Sequence, residues 1–356
     1  MKKLVAVLLV LILALTACGG NAPATEAPAT ETPGTAPATE APATEAPTTA
    51  QPAEKTAVRL GLLTGPTGMG AARLMSENLH ETTANRYDVT LFSAPDQITA
   101  KIISGELDIA AVPTNLAAVL YQKTKGGVQL LALNTLGVLH LLTAEGETVA
   151  SVEDLKGKTV YSSGQAAVPE YVLNYILDSA GILNEVEVIY EAEHDAVIAA
   201  LASGKAKIAV LPEPKVTAAL MQVEGLAKAL DLTEEWNKAA AKAGSQSVLS
   251  MGCVVVRKEF ADTAPEAVKS FLSEYRSSIE FMKDPANADA AASLCEQFKI
   301  IPKAAVAKKA LPGSNLYFAA GAEMKAQIAP FYEVLFGFAP ASVGGALPDD
   351  AFYYGT

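Results

Sequence analysis

The sequence predicts an α/β protein of two β/α lobes joined by a two-strand hinge, and three observations predict it. Short apolar runs alternate with helix-period runs through residues 58–356. One supersecondary unit occurs twice, at 97–120 and 197–220, so that Ser104-Gly105 falls on Ser203-Gly204 and Pro113 on Pro212 at one constant offset. Each copy is a helical run, a Ser-Gly stop, an apolar strand, a proline and a second helical run. Residues before 58 show no core-forming pattern, which leaves about 300 residues, enough for two lobes of ordinary domain size.

In chain order, Met1-Lys2-Lys3 is a short basic start, 4–14 is wholly apolar, and Leu15-Thr16-Ala17-Cys18 follows. The apolar run is shorter than the roughly 20 residues a membrane span needs, so 1–17 is expected to be a secretory signal peptide. Leu-Thr-Ala-Cys resembles the lipobox of bacterial lipoproteins, which implies cleavage before Cys18 and a lipid on its sulfur. Residues 18–57 repeat Ala-Pro-Ala-Thr-Glu at 22–26, 27–31, 36–40 and 41–45. Such a segment cannot bury enough apolar surface to order itself and is expected to be a disordered stalk. It would reach roughly 35 Å as a coil and roughly 120 Å as polyproline II. The expected location is therefore the cell membrane, lipid-anchored on its extracytoplasmic face.

The folded part opens with a strand at 58–63, the loop Thr64-Gly65-Pro66-Thr67-Gly68-Met69-Gly70 and a helix to about 84. A strand at 87–92, a helix at 95–104 with proline in its first turn, and a strand at 107–112 come next. A helix ending near Lys123 leads to strands at 129–133 and 138–142. Ser151-Val152-Glu153-Asp154 has the spacing of a capping box before a short turn ending at Gly157. The second series has a strand at 159–162, the loop Ser163-Gly164-Gln165-Ala166, a helix at 169–180, a strand at 187–190, a helix at 195–202 and a strand at 208–211. The apolar run 252–256 leads back to the first lobe. Pro265 opens a helix with core positions Val268, Phe271, Leu272, Tyr275, Ile279 and Met282. The remainder is expected to be mostly helical and to pack on the first lobe. Lobe 1 is thus expected at 58–145 with 252–356, lobe 2 at 146–251, and the hinge near 143–150 and 251–256.

The chain carries 27 basic and 39 acidic residues. Loss of Lys2 and Lys3 with the signal leaves 25 against 39, a net charge of −14. An acidic surface argues against nucleic acid or an anionic membrane as partner. Cys253 lies in an apolar run and Cys295 in a helical one, so both are read as buried free thiols. The three histidines His80, His140 and His194 are not paired at metal-ligand spacing. There is no nucleophile elbow, P-loop or Cys-x-x-Cys, so no metal, cofactor or catalytic residue is expected. His140 is read as a satisfied core residue and His194 as a solvated one.

The order of elements, the phrase Ser151-Val-Glu-Asp-Leu-Lys-Gly-Lys-Thr159, the units Gly105-Glu-Leu-Asp-Ile109 and Gly204-Lys-Ala-Lys-Ile208, and the strand Val254-Val-Val-Arg-Lys-Glu-Phe260 resemble the nitrate/sulfonate/taurine-type substrate-binding proteins of ABC transporters. Relatives in that family bind thiamine pyrimidine precursors. The resemblance covers roughly 58–340. It implies a two-lobed periplasmic-binding-protein fold of type II, a monomer that captures a small molecule by hinge closure and delivers it to an ABC permease. A ligand-sensing module for a membrane receptor would share these features. An enzyme of thiamine-pyrimidine metabolism would share the fold.

In an open α/β sheet, ligands sit in the loops leaving the C-terminal ends of strands. Thr67, Gly68 and Met69 open a helix whose first N–H groups lack partners and carry partial positive charge. Ser163, Gly164 and Gln165 are their counterparts in the second lobe. Thr114 and Asn115 follow one repeated strand, Glu213 follows the other, and Asn134 and Thr135 end a strand on the same rim. Glu213 either faces the cleft as a carboxylate for an amine or neutralises a helix N-terminus. The expected ligand is small and either nitrogen-containing or sulfonate-like.

Overall fold

The computed structural model describes residues 54–356; the expected signal peptide, Cys18 and the stalk as far as residue 53 lie outside them. The chain begins with β1 (Ala57–Leu63), the single turn α1 (Pro66–Met69), α2 (Ala72–Leu79), β2 (Arg86–Phe92), α3 (Pro95–Ile103), β3 (Ile109–Pro113), α4 (Thr114–Thr124) and β4 (Val128–Leu136). Next come β5 (Leu139–Thr143), β6 (Thr159–Ser163), α5 (Val168–Ser179), β7 (Glu187–Glu191), α6 (His194–Ala202), β8 (Ile208–Pro212), α7 (Lys215–Gln222), β9 (Ala227–Asp231) and α8 (Leu232–Lys242). Then follow β10 (Ser250–Arg257), α9 (Lys258–Thr263), α10 (Pro265–Lys283), α11 (Ala288–Gln297), α12 (Ala304–Ala310), β11 (Leu316–Ala320) and α13 (Gly321–Phe338).

Two mixed sheets result, one ordered β11-β4-β10-β3-β1-β2 and the other β7-β6-β8-β5-β9. The repeat explains their likeness. In each, three parallel strands (β2-β1-β3 and β7-β6-β8) are followed by an antiparallel one, β10 or β5. Both faces of the first sheet are covered at its centre, so β3 and the middle of β10 are apolar on both faces, while the edge strand β2 alternates buried and exposed residues. Leu60, Leu62, Ile109, Ala111, Val254 and Val256 meet α2, α10 and α11, while Ala110, Val112, Leu133 and Val255 belong to a second cluster with α4 and α13. That second cluster continues into the other lobe through Val172, Leu173 and Trp236. The capping box forms as its spacing requires: the Asp154 carboxylate accepts from Ser151 N at 2.9 Å.

Several elements differ from the sequence reading. The expected loop 64–70 contains the helical turn α1, and the helix expected to reach about 84 ends at Leu79. Strands β9 and β11 carry no clear sequence signal; Ala-Lys-Ala-Leu-Asp and Leu-Tyr-Phe-Ala-Ala are short edge strands whose pattern is set by one neighbour only. The change of sheet falls between Leu136 and Leu139, where the sequence placed it at residue 145. Leu139–Thr143 pairs with β8 and β9 of the second sheet. Its apolar run marks a strand, but only its partners assign the sheet.

The crossing is tightly held. Leu136 N donates to Asn315 O at 3.0 Å, the Asn315 side-chain amide donates to Gly137 O, and Glu213 N donates to Val138 O at 2.9 Å. A Cβ at Gly137 would overlap Thr233 Oγ1, which is why glycine stands there. Register fixes the orientation. Leu139 is opposite Pro212 at the C-terminal end of β8, and Gly252 is opposite both Pro113 and Thr135. The crossing therefore runs from the C-terminal rim of one sheet to that of the other, and the two ligand-type rims meet there.

Candidate functional site

On the first rim, Thr67 is half-buried and continues into Gly68 and Met69, both buried. A Cβ at Gly68 would overlap the carbonyl oxygen of Leu63, so only glycine lets α1 start this close to the end of β1. The Asn134 amide donates to Thr67 O at 3.0 Å and to the Tyr275 hydroxyl at 2.9 Å, and its own oxygen accepts from Thr135 Oγ1 at 3.1 Å. Asn134 is 1% exposed and Thr135 fully buried. Their work is to fix the Thr64–Met69 loop. Thr114 Oγ1 lies 3.0 Å from Ser250 Oγ, and Thr114 O accepts from the Tyr332 hydroxyl at 2.9 Å, which ties β3 to β10 and α13.

Two expectations on this side are corrected. Met69 is buried in the core with Leu60 and Leu62. Asn115 is also buried, and its amide donates to Ser342 O at 3.2 Å, toward the C-terminal segment. One residue of helix rotation, about 100°, separates it from Thr114.

On the second rim, Ser163 ends β6 and its hydroxyl is bonded to His194 Nδ1 at the start of α6. Gly164 stands at φ 81° and Ala166 at φ 58°, so the loop is left-handed twice within three residues. The Glu170 carboxylate accepts from Ala166 N and closes the loop onto α5. Gln165 is exposed at its tip. The Tyr190 hydroxyl, buried in the same lobe, has no partner; burial and then the nearby Glu170 charge hold its pKa above the usual range.

Glu213 is the main correction. It is 2% exposed, and its carboxylate accepts from Thr217 N at 3.0 Å and from Lys228 Nζ at 2.9 Å. It caps α7 and holds Lys228 beside the crossing, so both oxygens are occupied by the protein's own donors. His194 is the converse case. It is half-buried, where the sequence suggests a solvated residue; burial and then the Lys215 charge push its pKa down to about 4, against the opposing charge of Asp195. Lys215 is itself paired with Asp195 at 2.5 Å. The sequence carries a signal that finds this residue: the repeat offset lays His194 on Pro95, the first residue of the equivalent helix. His140 is half-buried in β5, and burial followed by Lys228 lowers its pKa.

The arrangement presents donors and neutral groups on two facing rims: Thr67 and the α1 start on one, the Ser163–Ala166 loop with His194 on the other. Two grooves lie on the second lobe, one of about 520 Å³ around Lys158, Glu187, Lys205 and Lys207 and one of about 480 Å³ around Glu145, Gly204, Lys207 and Glu224. They sit at the opposite, N-terminal ends of the second sheet's strands, away from the rims. Among the described residues no group of His, Cys, Asp and Glu could hold a metal ion, and no helix is long and apolar enough to cross a membrane. Cys253 and Cys295 are buried and unpaired.

The family model for the ABC transporter phosphonate periplasmic substrate-binding protein matches residues 72–294. No curated protein sequence matches the chain. Among solved structures, an ABC transporter protein from Parabacteroides distasonis is 22% identical, with a TM-score of 0.69 over 84% of this chain and 99% of that one. The periplasmic aliphatic sulphonate binding protein of Escherichia coli is 16% identical, with a TM-score of 0.67 over 85% and 92%. The alkanesulfonate-binding protein of Xanthomonas axonopodis pv. citri is 15% identical, with a TM-score of 0.60 over 83% and 96%. These likenesses show the two-lobed fold.

Proposed function

Because the chain belongs to the phosphonate-type periplasmic substrate-binding proteins of ABC transporters, we propose that it captures a small oxyanion-bearing solute between its two rims and delivers it, as a monomer, to an ABC permease. It is a binding protein and not an enzyme. The observation that carries this reading is the pair of matched sheets whose C-terminal rims meet at the Leu136–Leu139 crossing. Rotation about the crossings would bring the rims together on the ligand, excluding water and strengthening each polar contact.

In this reading Thr67, Gly68, Gly164 and Gln165 supply the ligand contacts, with Thr114, Asn134 and Thr135 holding the first loop and its strand neighbours in place and Ser163 orienting His194. His194 joins them. With the Ser163 hydroxyl donating to Nδ1, the neutral ring presents its Nε2–H as a donor. Helix starts and hydroxyls suit a sulfonate or phosphonate group. The occupied oxygens of Glu213 remove support for an amine held by that residue. Sulfonate binding by the Escherichia coli and Xanthomonas structures points to the same ligand class. The lipid on Cys18 and the stalk would keep the captured solute near its permease and raise its local concentration there.

A thermal-shift screen of the chain from residue 19 onward tests this, using alkanesulfonates, taurine, alkylphosphonates, nitrate and aminopyrimidines. A ligand at about a hundred times its dissociation constant adds roughly 2.7 kcal/mol, a rise of several degrees. We expect the rise from a sulfonate or phosphonate, and its loss in Ser163→Ala and His194→Ala. A response to aminopyrimidines alone would overturn the oxyanion assignment. Silence across the panel, with nothing co-purifying by native mass spectrometry, would overturn solute capture.

A further inference from the structure

The two lobes differ sharply in charge. Lobe 1, residues 54–138 with 250–356, has 17 basic and 19 acidic residues; lobe 2, residues 139–249, has 8 and 16. Against that acidic background one segment of lobe 1 is purely basic. Between Glu296 and Glu323 the only charged residues are Lys299, Lys303, Lys308 and Lys309. All four are exposed.

This segment is the lip of the cleft. Ile300 O accepts from Gly65 N at 3.1 Å, in the loop that precedes Thr67. Helix α12 lies against α7 of the other lobe, with Cα atoms of the two within 8 Å. Beyond α12, the turn at Gly313 abuts the Glu213 side chain of lobe 2. The lysines thus stand where lobe 1 approaches a lobe of net charge −8. Lobe 2 carries exposed Glu193 on its facing rim, beside Asp195, which is paired with Lys215 of α7. Among the described residues every ion pair is internal to one lobe, and of the four lysines only Lys308 has a partner, Asp289 of its own lobe. Three cations at the lip are therefore left for whatever approaches across the cleft.

We propose that the Lys299–Lys309 lip is an electrostatic clasp that draws the acidic second lobe onto the first, setting the open–closed balance from outside the ligand site. The proposal deepens the solute-capture reading and rests on its hinge motion. Attraction between exposed charges near 10 Å is screened by salt, with a Debye length of about 20 Å at 20 mM and about 4 Å at 0.5 M. Closure is then a salt-dependent equilibrium, and ligand affinity follows the fraction of chain already closed.

Spin labels at Ser93→Cys and Ala192→Cys, equivalent rim positions under the repeat offset, report the inter-lobe distance in full-length chain carrying Cys18→Ser. Cys253 and Cys295 are buried and stay unlabelled. Double electron–electron resonance is expected to show a shorter mean distance at 20 mM salt than at 0.5 M, with the closed fraction changing about threefold or more. The variant Lys299→Glu/Lys303→Glu/Lys309→Glu should be open at both salts, Lys→Gln at the same positions intermediate, and Lys123→Glu/Lys125→Glu at the far end of α4 unchanged. A distance indifferent to salt and to the lip variants overturns the clasp, as does an equal salt response in wild type and the triple reversal. A clasp that behaves as expected while the distance ignores every ligand of the panel supports the clasp and removes solute capture.

Discussion

At Glu213 one carboxylate is asked to do two things, and the geometry lets it do only one. It sits where a strand ends and a helix begins, as a ligand residue would, but Thr217 N and Lys228 Nζ use its two oxygens. Glu213→Ala removes a helix cap and a charge-assisted bond whose lysine is 39% exposed. The expected cost is about 2 kcal/mol, with ligand affinity held within about threefold. Urea unfolding and calorimetry measure the two; a tenfold loss of affinity at unchanged stability would return Glu213 to the site. His194 has its folded pKa depressed to about 4 from 6.5. The unfolded chain therefore binds the extra proton first, so the stability His194 confers is whole above pH 6.5 and is lost as pH falls toward 4. Between pH 7.5 and 4.5, wild type should lose about 2–3 kcal/mol more than His194→Asn. Equal losses would mean that His194 is free to charge in the fold.

Among elements, the repeated unit read most plainly, because a Ser-Gly stop, an apolar strand and a proline are local signals. The strands β3 and β8 occupy Ile109–Pro113 and Ile208–Pro212, within a residue or two of expectation. The crossing did not read, because Leu136-Gly137-Val138 has the pattern of an ordinary strand connection and its meaning comes from Asn315, Glu213 and Thr233, remote in sequence. Gly137→Ala should cost about 2–3 kcal/mol by forcing a Cβ into Thr233. Thr233→Ala should relieve part of it, with a coupling of about 1 kcal/mol or more in a double-mutant cycle. Strict additivity would show that the glycine serves backbone freedom and not this approach.

For the whole molecule, the lobes share a hydrophobic cluster beside the hinge. Trp236, the only tryptophan, is fully buried in α8. Its ring lies 4.8 Å from Tyr175 of α5 and 5.4 Å from Phe331 of α13, the helix that closes lobe 1. Phe331→Ala should cost about 3–5 kcal/mol and shift tryptophan emission to longer wavelength. An unshifted emission would place the contact outside the lobe junction. The sequence by itself determined the β/α alternation, the twofold repeat and the acidic balance, since each rests on local spacing or composition. Only the tertiary structure decided which rim residues are held by the protein's own groups and which are not. Asn115, Asn134 and Glu213 have the same polar character as Thr67 and Gln165, and what separates them is a partner far along the chain: Ser342, Tyr275 and Lys228. Burial and hydrogen bonding are properties of the assembled fold, so no local pattern carries them.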